Sequence, residues 1–249
     1  QLFTVFQQRL FTLFSFKPTY WQKADITKMT YKVVSLGMNC WPKWLFLQGK
    51  MMLDSTELQQ LHRYPLDSAF HLDFDKTLDA LENKFEDYVE HISYQSNPTT
   101  ERYGSQYTVT NSKYAGLLTH QQGQDRAENA DFYSKSIQNY QQLIQPDNQE
   151  LKVFLLLDLH NTLTILQVDR FFDIMNKQKV QNFILVLMMF NHPTFSYKNE
   201  RVLTINQLSD GKLKEHTWKT AHAAFFGLNA EKNFVKDFKT IQDFVLTWL

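Results

Sequence analysis

The chain has 249 residues, with 26 basic and 26 acidic side chains and a formal net charge of zero, so it carries no electrostatic footprint for nucleic acid or an anionic membrane surface. Its one cysteine excludes an internal disulfide scaffold and points to a reducing, cytoplasmic setting. With 43% hydrophobic residues and 21 Phe the chain can bury a substantial core, and no apolar run of about 18 residues offers a membrane span.

Residues 1–28 read as an appendage. The stretch QLFTVFQQRLFTLFSF mixes aromatic and polar positions, lacks a signal-cleavage pattern, and precedes Met29-Thr30, which reads like a start. Residues 29–249 read as one domain. Tyr31 to Leu36 (YKVVSL) is short, apolar and β-branched, and Gly37 ends it, which predicts a buried strand. A helix is expected from Trp41 to Gln48, with Pro42 in its first turn and Gly49 at its end.

A second helix is expected over Phe74 to His91, where Leu78, Leu81, Phe85 and Tyr88 share a face. Residues 93–123 lack helical period and suit a loop with short strands at Tyr107 to Val109 and Leu117 to Thr119. Another amphipathic helix spans Asp131 to Gln145. Val153 to Leu159 and Phe183 to Phe190 are continuous apolar runs of strand length, separated by a helix-like stretch from Ile165 to Lys177. Arg201 to Ile205 adds a strand, and Lys232 to Leu249 a closing helix with Phe234, Phe238, Ile241, Val245 and Leu246 inward. The expected fold is α/β: a mainly parallel central sheet with helices on both faces, in a single domain.

The sharpest local pattern is SLGMNC, residues 35–40. A strand that stops at a glycine and releases a thiol at a helix N-terminus exposes the nucleophile, lowers its pKa and aims backbone N–H groups at an oxyanion. The competing reading of Cys40 is a small buried hydrophobe in a strand-to-helix turn. A thiol enzyme needs a base. His120 ends the apolar stretch Tyr114 to Thr119, and His160 ends LLLDLH, so either can supply it. His62, His91, His216 and His222 read as surface residues, with His71 and His192 between the two groups. Asp67, in YPLDSAF, is the carboxylate held close to the core, where it needs an imidazolium or backbone N–H partner. Its alternative is a helix cap or Asx-turn. Asp158, an acid within a strand of leucines, has a similar claim or merely serves a loop.

Nucleotide-binding glycine patterns, H-E-x-x-H and C-x-x-C are absent, and one sulfur without short ligand spacing argues against zinc, so no cofactor or metal is expected. The blocks VVSLGMNC, YPLDSAF and NSKYAGLLTH, in that order, resemble the landmarks of the papain-like cysteine peptidases of a bacterial family of unknown function. The resemblance covers residues 31 to about 145 and implies Cys40 as nucleophile, His120 as base and Asp67 as the acidic position. Leu66 and Ser68 stand where the family has Phe and Trp beside that Asp, and Gln121 follows His120 where an acid is common. The strand, Cys, helix order is also similar to thiol versions of esterase and acyltransferase folds.

The expected activity is that of a cysteine-dependent hydrolase acting on an acyl or peptide carbonyl. Gly37, Asn39 and Trp41 would form the oxyanion pocket and Tyr114 its wall, with a small-molecule, sugar or peptide substrate. Acyl transfer to a surface sugar is the alternative within chemistry. A non-catalytic binding module using Trp41, Trp44, Phe70 and Tyr114 is the alternative outside it.

Overall fold

The computed structural model describes residues 31–37, 64–71, 73–96, 107–114, 116–118, 126–158, 162–189, 192, 194–206 and 240–249. The expected appendage, the helix expected over Trp41 to Gln48, and the start of the closing helix lie outside them.

Four strands form an all-parallel sheet in the order β1 (Tyr31–Ser35), β6 (Leu151–Asp158), β7 (Phe183–Met189), β8 (Val202–Ile205). Continuous apolar sequence makes β6 and β7 the central strands, because every residue of both is buried. Alternate side chains feed two cores. Val34, Leu36, Phe154, Leu156, Leu185 and Leu187 join one layer. Val33, Val153, Leu155, Ile184 and Val186 join the other. Three helices belong to the first layer: α1 (Phe74–Glu82), α2 (Arg126–Leu143) and α3 (Ile165–Lys177). Residues 240–246, also helical, cover the second face with Ile241 and Val245. Leu246, expected inward, is 61% exposed.

The helix α3 spans the residues its sequence predicts, because its start carries a local signal and the apolar run of β7 follows closely on its end. Thr164 and Gln167 form a reciprocal capping box at 3.3 and 3.0 Å. At the far end Val180 N–H donates to Met175 O (2.9 Å) and Lys179 N–H to Asn176 O (3.0 Å), a Schellman closure with Lys179 left-handed at φ 56°.

The expected helix over Phe74 to His91 instead ends at Glu82. Phe85 N–H reaches back to Ala80 O (2.9 Å) and Lys84 N–H to Leu81 O (3.1 Å), again a Schellman closure. Lys84 and Phe85 take φ of 55° and 63°, where a glycine would ordinarily mark the stop. Helical period nevertheless continues to look intact because Phe85 and Tyr88 are both fully buried. Phe85 packs edge-on against Tyr88 and Tyr140 at 5.5 and 5.0 Å, contacts that hold the strained turn.

The irregular region forms a second, antiparallel sheet ordered β2 (Ala69–His71), β5 (Gly116–Leu118), β4 (Tyr107–Asn111), β3 (Ile92–Ser96). The strands β4 and β5 match the expected short strands, while β2 is additional, as is β3. Its residues pair with all of β4, from Ile92 opposite Asn111 to Ser96 opposite Tyr107.

Candidate functional site

The strand β1 delivers Ser35, Leu36 and Gly37, the first half of the SLGMNC segment, to the C-terminal edge of the parallel sheet, where ligand sites of open α/β sheets form. Leu36 N–H continues the ladder to Leu155 O at 2.8 Å, and then Gly37 turns away with φ 74°. That conformation and the lack of a side chain are both needed. A Cβ on Gly37 would stand 3.1 Å from Leu66 Cβ and Cδ2. Gly37→Ala is therefore expected to lose about 1–3 kcal/mol from left-handed strain and crowding, read as a drop in urea midpoint. An unchanged midpoint would show that this turn relaxes freely.

Leu66 belongs to the 3-10 turn Pro65–Ser68, whose Asp67 is 1% exposed. Asp67 Oδ1 accepts the Ser35 N–H at 3.1 Å, and Oδ2 accepts the Tyr64 N–H at 2.8 Å. Asp67 N–H in turn donates to Tyr64 O at 3.1 Å. The carboxylate thus closes its own turn and clasps that turn to the end of β1. The need for a buried partner is legible in the sequence, and backbone N–H groups supply it. Gly37 and Asp67, two of the expected site residues, are brought together here.

Residue Ala69 directly follows that turn in β2 and pairs with Leu118 of β5. The chain reaches Cys40 three residues after Gly37 and His120 two residues after Leu118. Cys40, Asn39, Trp41 and His120 themselves lie outside the described residues.

Asp158 ends β6 beside β1 and is fully buried. Its Oδ2 accepts the Leu163 N–H at 2.8 Å, bracing the connection into α3. The register also places Ser35 opposite Leu155. Cys40 lies five residues beyond the one and His160 five beyond the other.

Tyr114 sits in the turn between β4 and β5, at the opposite end of β5 from Leu118. Its ring is buried and stacks on Tyr88 at 5.4 Å. Its hydroxyl donates to Asp87 Oδ1 at 2.5 Å and receives the Asn83 amide. Lys113 also binds Asp87, and His91 Nε2 lies 3.5 Å from the same carboxylate. The Lys113 ammonium and then the Tyr114 hydroxyl hold the Asp87 carboxyl far below its usual range. Burial, then the Asp87 carboxylate, pushes the Tyr114 phenol up. Tyr114 therefore belongs to a self-satisfied polar cluster, at one side of a shallow cavity it lines with Asp79, Glu82, Asn83 and Lys113. The sequence does not mark Asn83 and Asp87 as its partners, because the apolar period runs on through Phe85 and Tyr88 and hides the turn that carries them.

Among the described residues no three or more His, Cys, Asp or Glu side chains group as metal ligands, and no helix is long and apolar enough to cross a membrane. In comparisons with protein-family models, curated proteins and solved structures, the chain matches none of them.

Proposed function

We propose that the protein is a cysteine-dependent hydrolase with Cys40 as nucleophile and His120 as its base. The imidazole takes the thiol proton, the thiolate attacks an acyl or peptide carbonyl carbon, and the proton passes to the leaving group as the tetrahedral adduct collapses to a thioester. Water, activated by the same imidazole, then releases the acid. The Gly37 N–H donates to Ser35 Oγ at 3.3 Å, so backbone N–H groups beyond it, near Asn39 and Trp41, stabilise the oxyanion, and the role of Asp67 is to position the turn rather than to touch substrate.

The observation that carries this reading is the Asp67 clasp. It joins the end of β1, which leads to Cys40, to the turn whose next residue pairs with Leu118, which leads to His120. The resemblance of the three sequence blocks supports the same pair. A second reading gives the base role to His160, because β6 lies directly beside β1 and the two residues have equal offsets from one paired row.

Iodoacetamide labelling of the single cysteine tests both. Wild type is expected to label with an apparent pKa well below the ordinary thiol value of about 8.5. His120→Ala should slow labelling about tenfold or more near pH 6 and little near pH 9, where an unassisted thiol ionises anyway. His160→Ala should label like wild type. The reverse pattern transfers the base to His160, and a wild-type profile of an ordinary thiol overturns the proposal.

A further inference from the structure

The turn that follows α1 brings two costs together. Lys84 and Phe85 are consecutive left-handed residues, at φ 55° and 63°, and a non-glycine side chain makes that backbone unfavourable. Tyr140 of α2 is fully buried with its ring 5.0 Å from that of Phe85, and its hydroxyl has no hydrogen-bond partner. Such a hydroxyl forfeits its bonds to water and regains them only when water reaches it. The ends of the turn are pinned. Asn83 Nδ2 donates to the Tyr114 hydroxyl and to Asp87 Oδ1, and Tyr114 itself donates to Asp87. Between these pins, Lys84 N–H bonds Leu81 O at 3.1 Å, Phe85 N–H bonds Ala80 O at 2.9 Å and Glu86 N–H bonds Asn83 O at 3.2 Å. Gln141 Nε2 also donates to Lys84 O at 3.2 Å. Lys84 and Glu86 are exposed, so the Phe85 ring is the anchor of this segment in the core.

We propose that residues 84–86 form a gate that swings outward between its pins, withdraws the Phe85 ring from Tyr140, and lets water hydrogen-bond the Tyr140 hydroxyl. Opening relaxes two left-handed residues and hydrates one phenol, which together offset part of the lost burial of Phe85. The gate is independent of the Cys40 chemistry. A partner that favours its open form must read the groups which only that form exposes, the Phe85 ring and the Tyr140 hydroxyl.

Native-state hydrogen exchange on the full chain tests this. The Phe85 N–H is expected to exchange through a local opening that low urea does not accelerate, with a protection factor about tenfold or more below that of Leu155 N–H in the central strand β6. Tyr140→Phe removes the hydroxyl that opening hydrates, so the closed form no longer carries that cost. The Phe85 opening constant should fall about fivefold or more. A constant that Tyr140→Phe leaves unchanged or raises overturns the proposal, as does a Phe85 N–H that exchanges only through the global unfolding that exposes Leu155. Should Tyr140→Phe not fold, Lys84→Asn makes the same reading from a surface position. Asparagine tolerates left-handed backbone, so this variant should lower the constant about two- to fivefold, and an unlowered constant again overturns the gate.

Discussion

Asp67→Ala is expected to destabilise the protein by about 3–5 kcal/mol, because it strips hydrogen-bond acceptors from two buried backbone N–H groups at once. Those groups are Ser35 N–H and Tyr64 N–H, and no water can replace the carboxylate without entering a site that is 1% exposed. A typical domain has about 5–15 kcal/mol in total, so the variant sits near the threshold of folding. Asp67→Asn keeps one acceptor and turns an amide N–H₂ toward a backbone donor. It should cost about half as much. Urea midpoints of the three proteins give the result directly. A loss below about 1 kcal/mol for alanine would show that the clasp is dispensable. The Asn variant, if folded, also isolates the functional role, since the positioning argument requires its Cys40 labelling to lose the neutral-pH advantage.

Lys152→Met is expected to remove a pH dependence rather than simply to weaken the fold. Lys152 is fully buried at the start of β6, and its ammonium donates to Asn148 O (2.7 Å), Asn148 Oδ1 (3.2 Å) and Glu150 O (2.8 Å). Burial outweighs the favourable field of Glu150 and pushes its pKa down to about 8. Below that pH both folded and unfolded chains carry the proton. As pH rises from about 8 toward about 10.5 the folded protein sheds it while the unfolded chain still binds it, so stability rises with pH through this window. The gain approaches about 3 kcal/mol at the upper end. Other groups titrate there too, and the difference between wild type and Lys152→Met isolates this one. The difference should change by that amount between about pH 7.5 and 10.5. Parallel curves would show that the three acceptors hold the ammonium charged.

The parts of the fold legible in the sequence are those in which burial and period agree. The strands β6 and β7 read as apolar runs because both faces are covered, and α3 reads to the residue because a capping box and a following strand fence it. The helix α1 is over-read because its stop uses Lys84 and Phe85 in left-handed backbone, with no glycine to announce it. The strand β3 escapes notice because Ile92, Ser93 and Tyr94 are only partly buried and Gln95 is exposed, so it owes its form to the pairing with β4 rather than to its own composition. At the site, the sequence shows that Asp67 needs a buried partner, but only the register identifies the end of β1 as that partner. Tyr114 illustrates the opposite limit. A buried tyrosine announces that its hydroxyl needs company, and the company proves to be Asp87 and Asn83, on an element the blocks of resemblance do not include.

The order of strands across the parallel sheet also governs assembly. The segment β6, α3, β7, β8 is contiguous, with each parallel neighbour reached through one short crossover. The strand β1 is different: Tyr31 pairs with Leu151, 120 residues away. Bringing those ends together restricts a long loop before any contact rewards it, a cost that grows with loop length and slows folding. The C-terminal unit can thus collapse first as a template, with β1 captured along the open side of β6. The clasp at Ser35 can close only at that stage. The end of β1 that the Asp67 turn holds is then the last part of the sheet to acquire its geometry, and it would be the first to lose it when that template is left without its outer strand.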